Sequence, residues 1–494
     1  MTSLTSSQKR TAKSYFEEVS SFEIFYQLAY MAATSAAGIS RARVFQMARS
    51  LPTIPARYFK RIHELAENMR YNYPDAVRMV GETVPSDDVK TFLLRLSDAL
   101  RSGEPLAAFL TRESGVQGDH YENDYVRRLE SLKKWNDAYT AIAVSAALIV
   151  IVNMVSTMIY SLNTGLMAAM VFVSIAASFG VAWVTYRSAP QEALSVPLAA
   201  GSKRQRATRK WFRWAFPVAL VAFFGLSALG VNTGLVFMAA GFILLPVGWI
   251  SRRADKETVQ KDAEVSSFLR SLGGTATSRG TTLKEALVHM KIDSFPALQP
   301  DIRMLNLRLA SFGKPEICWR LFGTESGSKL ADQSTGIFYE AVNLGGDPEK
   351  TGLLTSEFAM KTAMLRAQRR GIGSTFSWLT LVMQTVLSML MVFLLGVMQQ
   401  FAVRMGEAMS TLNESQTSAS ALGLGSMFSF SEPQIQFMQV STVVMVGLLA
   451  VSNAFSVVAT EGAHLVKMTY YLSLLLVLSG IAFLFVPPVV RMII

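Results

Sequence analysis

The sequence predicts an all-α fold: a polytopic membrane protein with about seven transmembrane helices and two duplicated cytoplasmic helical-bundle domains. Three observations support this prediction. Seven apolar windows are long enough to cross a bilayer, and basic residues lie mainly on one side of them. Two polar stretches also contain similar Gly, Pro and acidic positions in the same order. Hydrophobic residues occupy 51% of the 494 positions and charged residues only 17%, which excludes an ordinary soluble domain.

The windows have the length of about 20 residues that crosses a bilayer, although the fourth is short, and none has Asp, Glu, Lys or Arg in its apolar core. They are Ala138–Leu162, Gly165–Tyr186, Trp214–Gly230, Leu235–Ile250, Phe376–Phe401, Ile435–Val458 and Met468–Val490. Secondary transporters, pumps and voltage sensors usually need ionisable groups there, so those classes are disfavoured. Asn153, Gln384 and Asn453 are neutral, and we expect them to join helices by hydrogen bonds.

Orientation follows from the distribution of Lys and Arg. They lie before the first window, between the second and third, after the fourth and before the fifth, whereas the opposite connections carry almost none. The positive-inside rule then predicts a cell-membrane protein with its N-terminus in the cytoplasm and its C-terminus outside. The net charge of +11 comes mostly from these basic residues on the predicted cytoplasmic side, which we expect to be attracted to anionic membrane lipids. A nucleic-acid partner is not needed to explain it.

The windows divide the chain into four predicted segments. These are a cytoplasmic helical domain at 1–137, spans one to four at 138–250 with a basic loop at 187–213, a second cytoplasmic helical domain at 251–375, and spans five to seven at 376–494 with an outer loop at 403–434. The outer loop contains Asn413-Glu414-Ser415, a candidate glycosylation sequon.

The two cytoplasmic segments share an order of landmarks, which is the signature of an internal repeat. Each has a helix that ends at glycine, then a proline followed by an acid, then a Gly–acid–Pro corner, and finally a charged helix that enters a span. The corresponding positions are Gly38 and Gly280, Pro74 and Pro315, and Gly103–Glu104–Pro105 and Gly346–Asp347–Pro348. A duplication is the simplest explanation.

The corners "RSGEP" and "LGGDP" have a structural interpretation. Glycine just past a helix supplies a left-handed residue, Asp347 is a strong N-cap, and proline suits the first helical position. Glu104 makes the same corner with a poorer cap. A second interpretation stays open, in which Glu104 and Asp347 are exposed acids that meet a basic partner.

Enzymatic motifs are absent or weak, and we predict no catalytic residue, cofactor or metal. The stretch "GTESGSK", Gly323–Lys329, lacks the spacing of a nucleotide-binding loop and is interpreted as a Ser/Gly loop. Asp87–Asp88 are interpreted as first-turn acids of a helix, and Thr282 with Glu285 as a capping box. The single cysteine, Cys318, is expected to be a small buried apolar residue.

Several stretches resemble the type II secretion system F domain family. The resemblance rests on "FLRSLGGTATSRGTTLKEAL" (Phe268–Leu287), "YEAVNLGGD" (Tyr339–Asp347) and a charged helix that runs into a span. Upstream, "FLLRLSDALRSGEPLAAFL" (Phe92–Leu110) and "LESLKKWNDAY" (Leu129–Tyr139) are most similar to the archaeal branch. Seven spans also favour the archaellum, archaeal-pilus or Tad-like members.

The resemblance implies a non-enzymatic assembly platform for a type IV filament, such as an archaellum or pilus, or for a type II secretion-like machine. Such a platform would bind a hexameric assembly ATPase and act on pilin-like subunits. It could also form a homodimer. The candidate ATPase contacts are exposed charges near the corners and junction helices: Arg101, Glu104, Asp347, Arg366, Arg369 and Arg370. The rival interpretation is a membrane transporter or lipid-handling enzyme with helical regulatory domains.

Overall fold

The computed structural model describes residues 19–159, 164–197, 199–311, 313–414 and 432–493. Across these ranges the chain is helical, and its β-structure is limited to one isolated bridge between Ser195 and Ser328. The helices are α1 Ser21–Ser35, α2 Arg41–Ala48, α3 Ile54–Glu67, α4 Tyr73–Thr83, α5 Asp87–Ser102, α6 Leu106–Ile159, α7 Thr164–Ser188, α8 Lys203–Ala228, α9 Thr233–Arg279, α10 Leu283–His289, α11 Gln299–Ala310, α12 Pro315–Ser326, α13 Lys329–Asn343, α14 Pro348–Glu414, α15 Glu432–Glu461 and α16 Met468–Ile493. The predicted all-α class is confirmed.

Seven of the described helices, α6 to α9 and α14 to α16, are long and apolar enough to cross a membrane. The chain is therefore a multi-pass membrane protein. Helix α8 begins at Lys203, so most basic residues of the predicted loop 187–213 are helical. Helix α14 continues to Glu414 because helix-forming residues extend beyond its apolar window, so the first part of the predicted outer loop 403–434 is helical.

Most of the predicted outer loop, residues 415–431, lies outside the described residues. Asn413 lies near the end of α14, and Ser415 of its sequon lies outside the described residues. Glycosylation of Asn413 stays a prediction.

The chain forms two compact units. Unit 1 comprises residues 1–127, 195–202 and 257–366, and unit 2 comprises residues 128–194, 203–256 and 367–494. The residue ranges of helices α6, α9 and α14 each include residues that belong to both units.

Unit 1 is built around helix α1, whose residues from Ile24 to Ser35 are all buried. A helix that is buried on every side has to be enclosed by other helices. The rings of Phe25 and Phe358 lie 5.0 Å apart between α1 and α14, and the Tyr30 hydroxyl donates to Glu340 on α13. Burial, followed by the adjacent Glu340 carboxylate, raises the pKa of Tyr30 above its ordinary value.

The helix ends of unit 1 follow most of the predicted signals. Gly38, Gly103 and Gly280 all have positive φ, as a left-handed helix terminus requires. Asp87 and Asp88 lie in the first turn of α5, and the Thr282 hydroxyl accepts from the Glu285 amide at 3.4 Å.

Two local predictions in unit 1 are wrong. The left-handed residue of the second corner is Gly345, with φ of 97°, and not Gly346. A side chain at Gly346 would instead approach the Ala341 carbonyl oxygen, 2.8 Å from the position of its Cβ. The "GTESGSK" stretch is not a loop, because its first four residues complete α12 and Lys329 opens α13.

In unit 2, a row of glycines lets two transmembrane helices approach closely. Gly234, Gly241 and Gly248 recur every seven residues along α9 and face α16. A Cβ at Gly248 would lie 2.5 Å from the Tyr470 Cα, and one at Gly234 would lie 2.9 Å from the Gly480 carbonyl oxygen. Small residues of this kind are what allows membrane helices to pack backbone against backbone.

A chain of neutral hydrogen bonds joins four membrane helices of unit 2. The Tyr139 hydroxyl donates to Asn453 Oδ1 at 2.6 Å, and Asn453 Nδ2 donates to Gln384 Oε1 at 2.7 Å. Gln384 Nε2 in turn lies 3.2 Å from Ser479 Oγ on α16. Asn153 Nδ2 reaches the Met167 carbonyl oxygen at 3.5 Å. The prediction that these three amides join helices is confirmed.

Replacing Asn453 with leucine is expected to destabilise unit 2 by about 1–2 kcal/mol, because the buried Gln384 carbonyl loses its donor and Tyr139 loses an acceptor. Thermal unfolding of the purified protein in detergent measures the change. Thr385→Val is the matched control, since among the residues that the structure describes the Thr385 hydroxyl bonds only the Leu381 carbonyl of its own helix. Equal melting temperatures for both variants would show that the chain of hydrogen bonds adds no stability.

Candidate docking surface and buried ion-pair clusters

The first corner, between α5 and α6, presents charged side chains on the surface of unit 1. Arg101 pairs with Asp75 at 3.1 Å, and both side chains are about half exposed, at 51% and 55%. Glu104 accepts from Arg112 at 2.9 Å and is 28% exposed. Exposed ion pairs contribute little to stability, so these groups are available for a partner at small cost.

The second corner, between α13 and α14, is held by Asp347. Its Oδ1 accepts from the Glu349 amide at 3.0 Å and from the Thr277 hydroxyl at 3.2 Å. Asp347 is therefore the predicted N-cap of α14 and also ties that helix to α9 within unit 1. Its carboxylate is partly exposed.

Arg366 is not an exposed charge, and that expectation is wrong. Its side chain is 3% exposed and donates to Asp262 Oδ2 at 3.0 Å, and the buried Ser328 hydroxyl donates to the other oxygen of Asp262. Beside this pair, Lys261 contacts Asp301 at 2.6 Å and the Ser326 carbonyl oxygen at 3.0 Å. We call these six residues the unit 1 cluster.

The unit 1 cluster holds helix α9 against its neighbours. Asp301 lies on α11 and Arg366 on α14, so two adjacent residues of α9 bind charges on two other helices. Burial raises the pKa of the Asp301 carboxyl above its ordinary value, and the Lys261 ammonium beside it opposes that shift. Charges this deeply buried need their partners, which indicates a structural role.

Arg369 is also buried, at 3% exposure, contrary to the expectation of a surface contact. Its guanidinium donates to the carbonyl oxygens of Ala459 at 2.8 Å, Thr460 at 3.0 Å and Pro190 at 2.9 Å. The first two are terminal carbonyls of α15, where a cation also meets the negative end of the helix dipole. Gly462, with φ of 71°, follows that end and leaves room for the guanidinium.

Arg370 pairs with Asp255 of α9 at 3.2 Å and is only 21% exposed, so it too is part of the packing of unit 2. Lys467 joins the same Asp255 at 2.8 Å and contacts Glu461 at 2.7 Å. The Tyr471 hydroxyl completes this unit 2 cluster by donating to Glu461 at 2.5 Å. The cluster connects α9, α14, α15 and α16 through alternating charges.

Comparisons with known proteins fit this architecture. Residues 28–154 match the family described as "Type II secretion system (T2SS), protein F". The resemblance to that family is confirmed. The matched stretch begins in α1, includes the first corner and ends within α6.

Two relatives are each named "Flagella accessory protein J". The protein from Methanocaldococcus jannaschii is 26% identical over 325 residues, which cover 64% of this chain and 58% of the relative. The protein from Methanococcus voltae is 22% identical over 322 residues, which cover 63% of this chain and 58% of the relative. The match thus spans little more than half of either relative. No solved structure matches this chain.

Proposed function

We propose that this chain is the integral-membrane platform of a type IV filament or type II secretion-like assembly machine. The observation that carries the proposal is the match of residues 28–154 to the type II secretion protein F family, together with relatives named flagella accessory protein J. The platform would dock a cytoplasmic assembly ATPase and couple its strokes to insertion of pilin-like subunits. The N-terminus would lie in the cytoplasm and the C-terminus outside.

The duplicated domains at 1–137 and 251–375 would form the docking side. Helices α6, α9 and α14 begin or end in these domains, and their residue ranges continue into the apolar spans. A continuous helix is suited to carrying a displacement from one end to the other. The buried charge clusters would keep each unit rigid under such a load.

We place the ATPase contact on Arg101, Glu104 and Asp347. These side chains are exposed or partly exposed, and their ion pairs or caps leave polar atoms at the surface. Arg366, Arg369 and Arg370 are left out because buried or half-buried partners already hold them.

The test is retention of the cognate assembly ATPase on the full-length protein in detergent. The wild-type protein should retain it, and Glu104→Lys with Asp347→Lys should lower its affinity at least about tenfold, since like charges across an interface cost several kcal/mol. Glu82→Lys with Glu357→Lys is the matched control, because both acids are exposed and the charge change is equal.

Two results would count against parts of the proposal. If the wild-type protein retains no ATPase, the proposed function fails. If the wild-type protein and both paired variants retain it equally, the function stands and the corners are not the contact. A normal alkylation rate at buried Cys318 shows that unit 1 of each variant is folded.

A further inference from the structure

An apolar groove opens on the side of unit 2, among its membrane helices. It has a volume of about 370 Å³ and is lined from α8, α9, α15 and α16. From α8 it takes Phe216, Leu220 and Phe223, and from α15 it takes Val444 and Leu448. Every residue of the lining is apolar, so within the hydrocarbon layer the groove suits an alkyl chain.

Helix α8 forms the open wall of this groove. The apolar window of α8 is only 6% buried, far less than that of any other span. The apolar face of such a weakly packed span is exposed to the other molecules of the membrane.

The same face of α8 carries positive charge one to two turns before the groove. Arg213 and Arg209 precede Phe216 by three and seven residues, and this spacing places all three on one face of the helix. Both arginines are exposed, and in the described part of the chain neither forms an ion pair. No acidic residue occurs between Glu192 and Asp255, so no neighbouring residue in the sequence can neutralise the charges of these arginines.

Aromatic side chains indicate the depth of Arg209 and Arg213 relative to the bilayer. Trp211 is 55% exposed and Trp214 is 73% exposed, directly among the basic residues. Exposed tryptophans of a transmembrane helix lie at the bilayer interface, where the headgroups are. Arg209 and Arg213 therefore lie at headgroup level and the groove at acyl-chain level.

We propose that this groove is a binding site for a membrane lipid with an anionic, phosphate-bearing headgroup. One alkyl chain occupies the groove, and the guanidinium groups of Arg209 and Arg213 bind the phosphate. One lipid molecule can bind to both the arginines and the groove. Its charged headgroup and its alkyl chain follow each other in the same order as the arginines and the groove do along α8. An apolar protein segment would fill the groove and leave the arginines without an anion. The proposal is independent of the ATPase partner.

The test is native mass spectrometry of the full-length protein in mixed micelles of phosphatidylglycerol and phosphatidylcholine. The wild-type protein should retain one phosphatidylglycerol. Arg209→Gln with Arg213→Gln should lower that affinity about 30-fold, from about 1 kcal/mol per cation. Lys203→Gln with Lys210→Gln, an equal loss of charge on another face of α8, should lower it less than about threefold.

A second pair of variants tests the groove itself. Val444→Phe should fill the groove and abolish retention, since Val444 is 42% exposed and the larger ring can be accommodated there. Val440→Phe, one turn earlier on the same helix and outside the lining, should retain the lipid as the wild-type protein does.

Four results would overturn the proposal. They are equal losses for the arginine and lysine pairs, retention unaffected by Val444→Phe, displacement of the lipid by inorganic phosphate at a concentration equal to that of the lipid, or retention of a protein segment in place of lipid.

Discussion

Asp262→Ala is expected to destabilise unit 1 by about 3–5 kcal/mol. The substitution removes the carboxylate that accepts from Arg366 and from the Ser328 hydroxyl, and the two charged side chains are 3% and 7% exposed. Loss of one partner from a buried pair leaves the other charge poorly compensated in a medium of low dielectric constant. The arginine remains in place because α14 carries it into the interior.

The single cysteine provides the measurement. Cys318 is buried at 4% exposure in α12 of unit 1, so its alkylation rate in increasing denaturant reports the opening of this unit. Glu82→Ala is the control, because the Arg78–Glu82 pair is more than half exposed and its loss should cost less than about 0.5 kcal/mol. Asp262→Ala combined with Arg366→Met should recover part of the loss. Equal alkylation rates for Asp262→Ala and Glu82→Ala would contradict this account of the cluster.

Gly248→Ala is expected to destabilise unit 2 by about 1–3 kcal/mol, although alanine is the better helix former. The new Cβ would lie 2.5 Å from the Tyr470 Cα and 2.7 Å from its nitrogen. Because these are backbone atoms, they cannot move aside by a rotamer change, and α9 and α16 have to separate.

Thermal unfolding of the full-length protein in one detergent compares Gly248→Ala with Gly180→Ala. Gly180 lies in α7, and nothing is within 4 Å of the position of its Cβ. The control should melt at the wild-type temperature or slightly above it, since the substitution removes a glycine from a helix. A Gly248→Ala protein as stable as the control would show that the two helices do not depend on this close approach.

Local features of the fold could be predicted from the sequence because they depend on neighbouring residues. The apolar windows, the glycine ends at Gly38, Gly103 and Gly280, and the Asp347 cap all have short-range causes. At the second corner, two glycines stand side by side, and the sequence alone does not distinguish them. Only the structure shows that Gly345, and not Gly346, is left-handed.

Burial of charge could not be predicted, because it depends on partners far away in the sequence. Arg366 lies 104 residues from Asp262. Arg369 lies 90 and 91 residues from the Ala459 and Thr460 carbonyls and 179 residues from the Pro190 carbonyl. In the sequence, these arginines match the pattern of exposed basic residues that flank a span on its cytoplasmic side. A usable signal was the seven-residue spacing of Asp255 and Asp262 on a helix that continues into the membrane, since seven residues return to the same face.

The glycines of α9 carried a similar signal. Gly234, Gly241 and Gly248 also repeat every seven residues, a spacing typical of a helix with one close neighbour along its length. The partner helix could not be identified from α9 alone. Gly480 and Tyr470 are separated by a leucine-rich stretch that also contains Ser473 and Ser479, and only the structure shows that both lie on this face.

The most direct test of the central claim is deletion of the gene followed by electron microscopy of the cell surface and a solute-uptake assay. A filament-assembly platform predicts loss of surface filaments with normal uptake, and restoration of filaments by the wild-type gene. Intact filaments in the deletion strain, or turnover of a solute or lipid by the purified protein, would contradict that role and favour a transporter or lipid-handling enzyme.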